Sequence, residues 1–266
     1  EPVIFLHEYG PGSSAWVNYH KNIGELSKHF RCLMPDVGGT GMTVPPEGTQ
    51  GGHERYALTA LKLMDGLGIE KAHIVGHSSG GTASLLFGYT YPDRVLKVVT
   101  GSCHHSRGQS FPGGEPYMIA NRPSEGNRAT MEVTANPSKE NFRRYLQVHI
   151  DDEALVTDEL VDYVHDTYMA NPNRPEEPPT LLSRRSSQIT ERRGAPYSHL
   201  HQLWDVQAPT LIIYGRYDRM CSYEIGLTIL NYVADSRIVV FNNCGHWPPF
   251  EKPDEWNSQV INFLKL

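Results

Sequence analysis

Six short apolar runs punctuate the chain: VIFLH (3–7), FRCLMP (30–35), AHIVGH (72–77), VLKVVTG (95–101), TLIIYG (210–215) and RIVVFN (237–242). Each is apolar at consecutive rather than alternate positions, the pattern of strands covered by helices on both faces. Helical spacings lie between them. RYALTALKLMDGLGI (55–69) repeats apolar residues every three or four positions and stops at Gly68. SYEIGLTILNYV (222–233) opens on Ser222, a residue suited to capping, and PDEWNSQVINFLKL (253–266) starts with Pro253 in its first turn. Strand and helix in alternation predict a parallel sheet with right-handed crossovers.

The alternation stops between about residues 104 and 204. This stretch is rich in Pro, Gly, Arg and Glu, and no strand pattern appears in it. SKENFRRYLQVHI (138–150) and TDELVDYVHDTYM (157–169) read as helices, and NPNRPEEPPT (171–180) as a loop. The expected organisation is an α/β core built from residues 1–103 and 205–266. A helical cap, 104–204, is inserted over the carboxyl edge of the sheet, where ligands bind in open α/β folds.

Composition narrows the function classes. The 266 residues are 20% charged and 39% hydrophobic, a globular balance. A formal charge of -6 argues against nucleic acid or an anionic membrane as the main partner. No apolar run approaches the roughly 18 residues that span a bilayer. The opening EPVIFLHE reads as a strand and not as a signal peptide, so a cytoplasmic location is expected. Cys32, Cys103, Cys221 and Cys244 are widely spaced with no CxxC pair, which predicts reduced thiols.

The chemistry centres on IVGHSSGGTASLL (74–86). Gly76-His77-Ser78-Ser79-Gly80 fits G-x-S-x-G, directly after a strand and directly before a helix, the setting of a nucleophile elbow. The turn tolerates only tiny residues two before and two after the nucleophile. Ser78 has glycine at both positions. Ser79 has His77 and Gly81, so Ser78 is the candidate nucleophile and Ser79 offers a backbone N–H. A serine needs a base, and the base an orienting acid. The acid is expected after a late strand, where Asp218 follows TLIIYG; Asp205 and Asp235 are rivals that follow no strand end. The base is expected after the last strand, where His246 stands in NNCGHWPPFEKP. A second oxyanion donor is expected from His7-Glu8-Tyr9-Gly10-Pro11-Gly12, whose glycines let the backbone turn its N–H groups inward.

HEYGPGSSAWVNY, PDVGGTGMT, GHSSGG, GRYDRM and NNCGHWPPFEKPDEWNSQVINFL follow one another as in the α/β-hydrolase superfamily. The chain most resembles its meta-cleavage-product hydrolases, which hydrolyse C–C bonds in aromatic-ring degradation. The resemblance implies an α/β-hydrolase fold: a mostly parallel sheet flanked by helices, with an inserted cap. It implies Ser78, Asp218 and His246 as triad, and the N–H groups of Tyr9 and Ser79 as oxyanion hole. Gly10, Asn18, His77 and Trp247 then line the substrate site. Family members are often dimers or larger, so a homo-oligomer is implied too. The superfamily has a strand pair before the first run, so a longer natural chain is expected.

Three departures stand against the resemblance. Position 8 is usually glycine and here is Glu8. The residue before the nucleophile is usually asparagine and here is His77, as in many esterases. A cap arginine that grips the substrate carboxylate is replaced in VDYVHDTY (161–168) by Val164 or His165, with Arg184, Arg185, Arg192 and Arg193 as substitutes. The rival readings are therefore a carboxylesterase or amidase on a small acyl substrate, and a non-catalytic binding protein on the same fold. Cys103-His104-His105 and His199-Leu-His201 are the tempting metal clusters. Neither has a third ligand at a recognisable spacing, and HEYG is not HExxH. No GxGxxG follows a strand. No metal, no cofactor and a small-molecule substrate are expected.

Overall fold

The computed structural model describes residues 1–41, 43, 52–103, 125–173 and 202–266. Along the core run β1 (Pro2–Leu6), α1 (Ala15–Leu26), β2 (Arg31–Leu33), α2 (His53–Gly66), β3 (Ala72–Gly76), α3 (Ser79–Thr90) and β4 (Val95–Gly101). Three helices follow: α4 (Glu125–Ala135), α5 (Lys139–His149) and α6 (Asp158–Ala170). The core resumes with β5 (Thr210–Gly215), α7 (Glu224–Tyr232), β6 (Ser236–Phe241), α8 (Pro248–Glu251) and α9 (Pro253–Lys265).

The six strands form one sheet in the order β2-β1-β3-β4-β5-β6, and every pairing is parallel. The central β1, β3 and β5 bury nearly every residue, which is why their sequences are continuous apolar runs. Register decides where the chemistry falls. Leu6 lies opposite Gly76, Gly101 opposite Ile213, and Gly215 opposite Phe241. The loops after β1, β3, β5 and β6 therefore emerge at one edge.

Each face of the sheet has its own core. Ile4, Leu6, Ile74, Ile212 and Tyr214 pack against α2, α3 and α7 through Ala60, Met64, Leu85 and Ile229. Val3, Phe5, Val75, Val99 and Ile213 pack against α1 and α9 through Tyr19, Leu26, Trp256, Val260 and Phe263. A third cluster joins α4, α5 and α6 through Val133, Phe142, Leu146 and Val161, and reaches Val17, Trp247 and Phe250 of the core.

Local chemistry explains most helix starts. The hydroxyls of Ser14, Ser138 and Thr157 accept from the N–H groups of Val17, Asn141 and Leu160, capping α1, α5 and α6. Pro253 opens α9, where its missing N–H costs nothing. Two expectations shift. α7 starts at Glu224, and the Ser222 side chain does not cap it; only its carbonyl is used, by the Ile225 N–H. α2 runs from His53 to Gly66 and not from 55 to 69, with Gly68 at φ 65 in the turn beyond. No described helix is long and apolar enough to cross a membrane.

Candidate active site

The loop after β3 makes a turn that few residues can take. Ser78 sits at φ 56 and ψ -118, off the regions open to L-residues. Its N–H donates to Gly101 O, and α3 begins at the next residue. A Cβ on Gly76 would lie 2.0 Å from Gly80 O, and one on Gly80 would lie 2.0 Å from Leu6 O. Those two glycines are what let the helix approach the sheet this closely, and the strained serine is the consequence.

Ser78 Oγ stands 3.1 Å from His246 Nε2, and His246 Nδ1 stands 2.8 Å from Asp218 Oδ2. The carboxylate can only accept, so Nδ1 carries the proton and Nε2 offers its lone pair to the serine. Asp218 is itself fixed, its Oδ1 accepting the N–H groups of Met220 and Cys221 at 2.7 and 2.8 Å. All three residues are buried. Burial, the largest influence, would lower the His246 imidazole. The carboxylates of Asp218, Glu8 and Glu251 outweigh it and hold the group above its usual range.

Three comparisons bear on this geometry. Residues 1–253 match the family described as the alpha/beta hydrolase fold. A 2-hydroxy-6-oxo-6-phenylhexa-2,4-dienoate hydrolase of Comamonas testosteroni is 33% identical over 269 residues, covering 100% of this chain and 88% of the relative. A 2-hydroxy-6-oxononadienedioate/2-hydroxy-6-oxononatrienedioate hydrolase of a Pseudomonas species is 32% identical, covering 99% and 88%. A solved meta-cleavage product hydrolase from Pseudomonas fluorescens superposes with a TM-score of 0.83 at 31% identity, covering 100% of this chain and 90% of that one.

The chain belongs to the α/β-hydrolase superfamily. Within it, this hydrolase is similar to the meta-cleavage-product enzymes over its whole length.

Several of the sequence-predicted residues lie beside the Ser78–His246–Asp218 contact chain. Ser79 is the first residue of α3, so no carbonyl one turn back within the helix takes its N–H, and the positive end of the helix dipole lies there. Gly10 leaves no room for a side chain, since a Cβ would meet Tyr145 Oη at 2.5 Å. Tyr9 next to it is largely exposed. Asn18 Oδ1 accepts the Glu8 N–H at 2.7 Å, and its buried Nδ2 has no hydrogen-bond partner among the described residues. His77 Nε2 donates to His246 O at 2.6 Å. Trp247 is buried and its indole N–H donates to Glu8 Oε2 at 2.8 Å.

At the place of the cap arginine, Val164 carries no charge and is buried against Gly12, and His165 pairs with Asp166 at 2.7 Å. Arg184, Arg185, Arg192, Arg193, His104, His105, His199 and His201 lie outside the described residues.

Four contributors escaped the sequence reading. Ser13 and Tyr145 donate to Glu8 Oε1 at 3.1 and 3.4 Å. His149, at the end of α5, accepts the His246 N–H on its carbonyl at 2.6 Å and packs its ring 5.4 Å from the His246 ring. Glu251 accepts the N–H groups of Gly245, Trp247 and Asp151. The Gly245-His246-Trp247 segment is thus clamped by α5 on one side and α8 on the other. Glu251 and Ser13 left a trace in the sequence, as parts of the CGHWPPFE tail and of HEYGPGSSAWVNY.

Among the described residues, two donor sets come close enough to hold an ion, Glu8 with His77 and His246, and Asp218 with Cys221 and His246. Both use His246, whose nitrogens already face Ser78 and Asp218. Ligating an ion there would displace the serine–histidine contact in the first set and the histidine–aspartate contact in the second.

Proposed function

We propose that this hydrolase cleaves the C–C bond beside a ketone in a vinylogous 1,5-diketone, a meta-cleavage product of an aromatic ring. Ser78 is its nucleophile, His246 its base and Asp218 the group that orients the imidazole. The single observation that carries the reading is the Ser78–His246–Asp218 hydrogen-bond chain on a strained elbow. The names of the relatives supply the substrate class: 2-hydroxy-6-oxo-dienoates.

The substrate arrives as a dienol, and His246 with the neighbouring polar groups assists its conversion to the keto form. That places an electron sink beyond the bond to be broken. Ser78 Oγ then attacks the remote ketone while its proton passes to His246 Nε2. The N–H groups of Tyr9 and Ser79 hold the oxyanion, each worth about 3 kcal/mol. The C–C bond breaks, leaving an acyl group on Ser78 and an enolate that takes up a proton. Water, activated by His246, releases the acid. Gly10, Asn18, His77 and Trp247 line or support the pocket, and α4, α5 and α6 belong to its cap. The enzyme acts on small molecules in the cytoplasm and assembles as a homodimer or larger homo-oligomer.

Stopped-flow absorbance with a yellow dienol substrate tests this. With the wild type the chromophore should decay as the acid product forms; with Ser78→Ala no acid product should form, the dienol going no further than the keto form. No decay alongside brisk p-nitrophenyl ester hydrolysis would turn the assignment to a carboxylesterase.

A further inference from the structure

Glu8 is a buried carboxylate that the triad does not need. Its backbone belongs to the loop after β1, and its side chain reaches back beneath the catalytic histidine. Trp247 Nε1 donates to Oε2 at 2.8 Å, and Ser13 Oγ and Tyr145 Oη donate to Oε1. These three donors, from three separate elements, aim Oε2 at His246 Nε2, 3.9 Å away. That nitrogen is the one facing Ser78 Oγ. Asp218 occupies the opposite edge of the same ring.

We propose that Glu8 is a second carboxylate of the catalytic histidine, stabilising the imidazolium that forms when Ser78 gives up its proton and setting the pH at which the serine becomes reactive. The inference rests on the reading of Ser78 and His246 as nucleophile and base. A unit positive charge on His246 would lie between two acceptor-only groups, one at each nitrogen. At such a separation in a dry site the attraction is strong, and opposite charges at this range move a pKa by about one to three units.

The remaining ionisable neighbours do not take over this role. His77 and His149 pack their rings 5.2 and 5.4 Å from that of His246, and burial, then the proximity of His246, holds both below the usual histidine range, so neither is a counter-charge for it. Glu251 faces the backbone of the loop and spends its oxygens on three N–H groups. Tyr19, Tyr56 and Tyr145, which also lie around Glu8, are held neutral by burial, and burial likewise lowers His7, whose Nδ1 donates to the Glu8 carbonyl. Burial also raises the Glu8 carboxyl, against its three donors and the nearby His246. Its charge is thereby coupled to that of the imidazole.

The test is the pH dependence of Ser78 labelling by a fluorophosphonate, which needs the nucleophile and base but not the natural substrate. In the wild type the acid limb should lie above the ordinary histidine value. In Glu8→Gln, which keeps shape and an acceptor but not charge, it should fall by about one unit. The low-field proton resonance of His246 Nδ1–H, titrated in both proteins, should shift alike. Should Glu8→Gln not fold, Ser13→Ala removes one donor from the carboxylate, and the limb should fall in the same direction by less. An acid limb unmoved in the folded variant overturns the assignment of Glu8. Labelling that survives Ser78→Ala would instead overturn the underlying reading.

Discussion

His77 Nε2–H donates to the carbonyl oxygen of His246 at 2.6 Å, joining the tight turn after β3 to the loop after β6. The residue before Ser78 thus holds the histidine that Ser78 faces, the base of the proposed mechanism. A carbonyl only accepts, so Nε2 carries the His77 proton. Burial, then the proximity of His246, keep that ring well below the usual histidine range, so it stays neutral.

Removing this donor should therefore damage both catalysis and folding. His77→Leu leaves a buried carbonyl without its partner, costing about 1–3 kcal/mol. Turnover should fall about tenfold or more as the His246 loop loosens. His77→Gln places an amide N–H near the same point and should recover much of the loss. Equal kcat for the leucine and wild-type proteins, measured alongside urea denaturation, would show that the bond does not position the base.

The buried histidines also set the acid limit of the fold. Burial, then the proximity of His246, lowers His149 from 6.5 to about 3. Below pH 6.5 the unfolded chain binds a proton there that the folded chain refuses, so stability falls with pH through the window from 6.5 to about 3. The slope is about 1.4 kcal/mol per pH unit for one such group, and His77 adds in the same direction. Melting temperature should drop steeply from pH 7 to pH 5. In His149→Phe, which keeps a ring against Tyr145, the dependence should be visibly flatter. An identical slope would remove His149 from the account.

The elbow glycines make a sharper prediction about folding. A methyl on Gly80 would overlap Leu6 O and His7 O, both backbone atoms of the central strand and its exit. Neither can move without disturbing the sheet. Gly80→Ala should cost about 3 kcal/mol or more. Gly24→Ala, where a Cβ meets nothing within 4 Å on α1, should be neutral or slightly stabilising. Comparable denaturation midpoints for the two variants would contradict the packing described here.

These contrasts explain what the sequence could reveal. The strands of the buried sheet are continuous apolar runs, so VIFLH, AHIVGH and TLIIYG were legible at once. Ser78, Asp218 and His246 each follow a strand end, so their convergence could be expected from topology alone. Tyr145 and His149 could not, because the apolar stripe of SKENFRRYLQVHI marks a buried face but not that this face meets the His246 loop. Glu8 stood out as a departure, but its direction depends on donors from Ser13, Tyr145 and Trp247, which are far apart in the chain. Ser222 misled because the chain turns once more before α7 begins.

Glu251 offers the most demanding test of how the histidine loop is held. Its Oε1 accepts the N–H groups of Gly245 and Trp247, and its Oε2 those of Gly245 and Asp151. Burial raises its carboxyl, and those N–H groups oppose the shift. Glu251→Gln preserves the volume but replaces one oxygen with an NH2 group. Whichever way the amide turns, a donor then faces a backbone donor in a buried site. Each such mismatch leaves polar groups unpaired at about 1–3 kcal/mol. The variant should therefore unfold at lower urea, and kcat should fall because residues 245–247 flank the base directly. Glu251→Asp, which keeps the charge but shortens the reach, should fall between the two. A glutamine variant with wild-type stability and turnover would mean that α5 and the His77 bond hold His246 without help from α8.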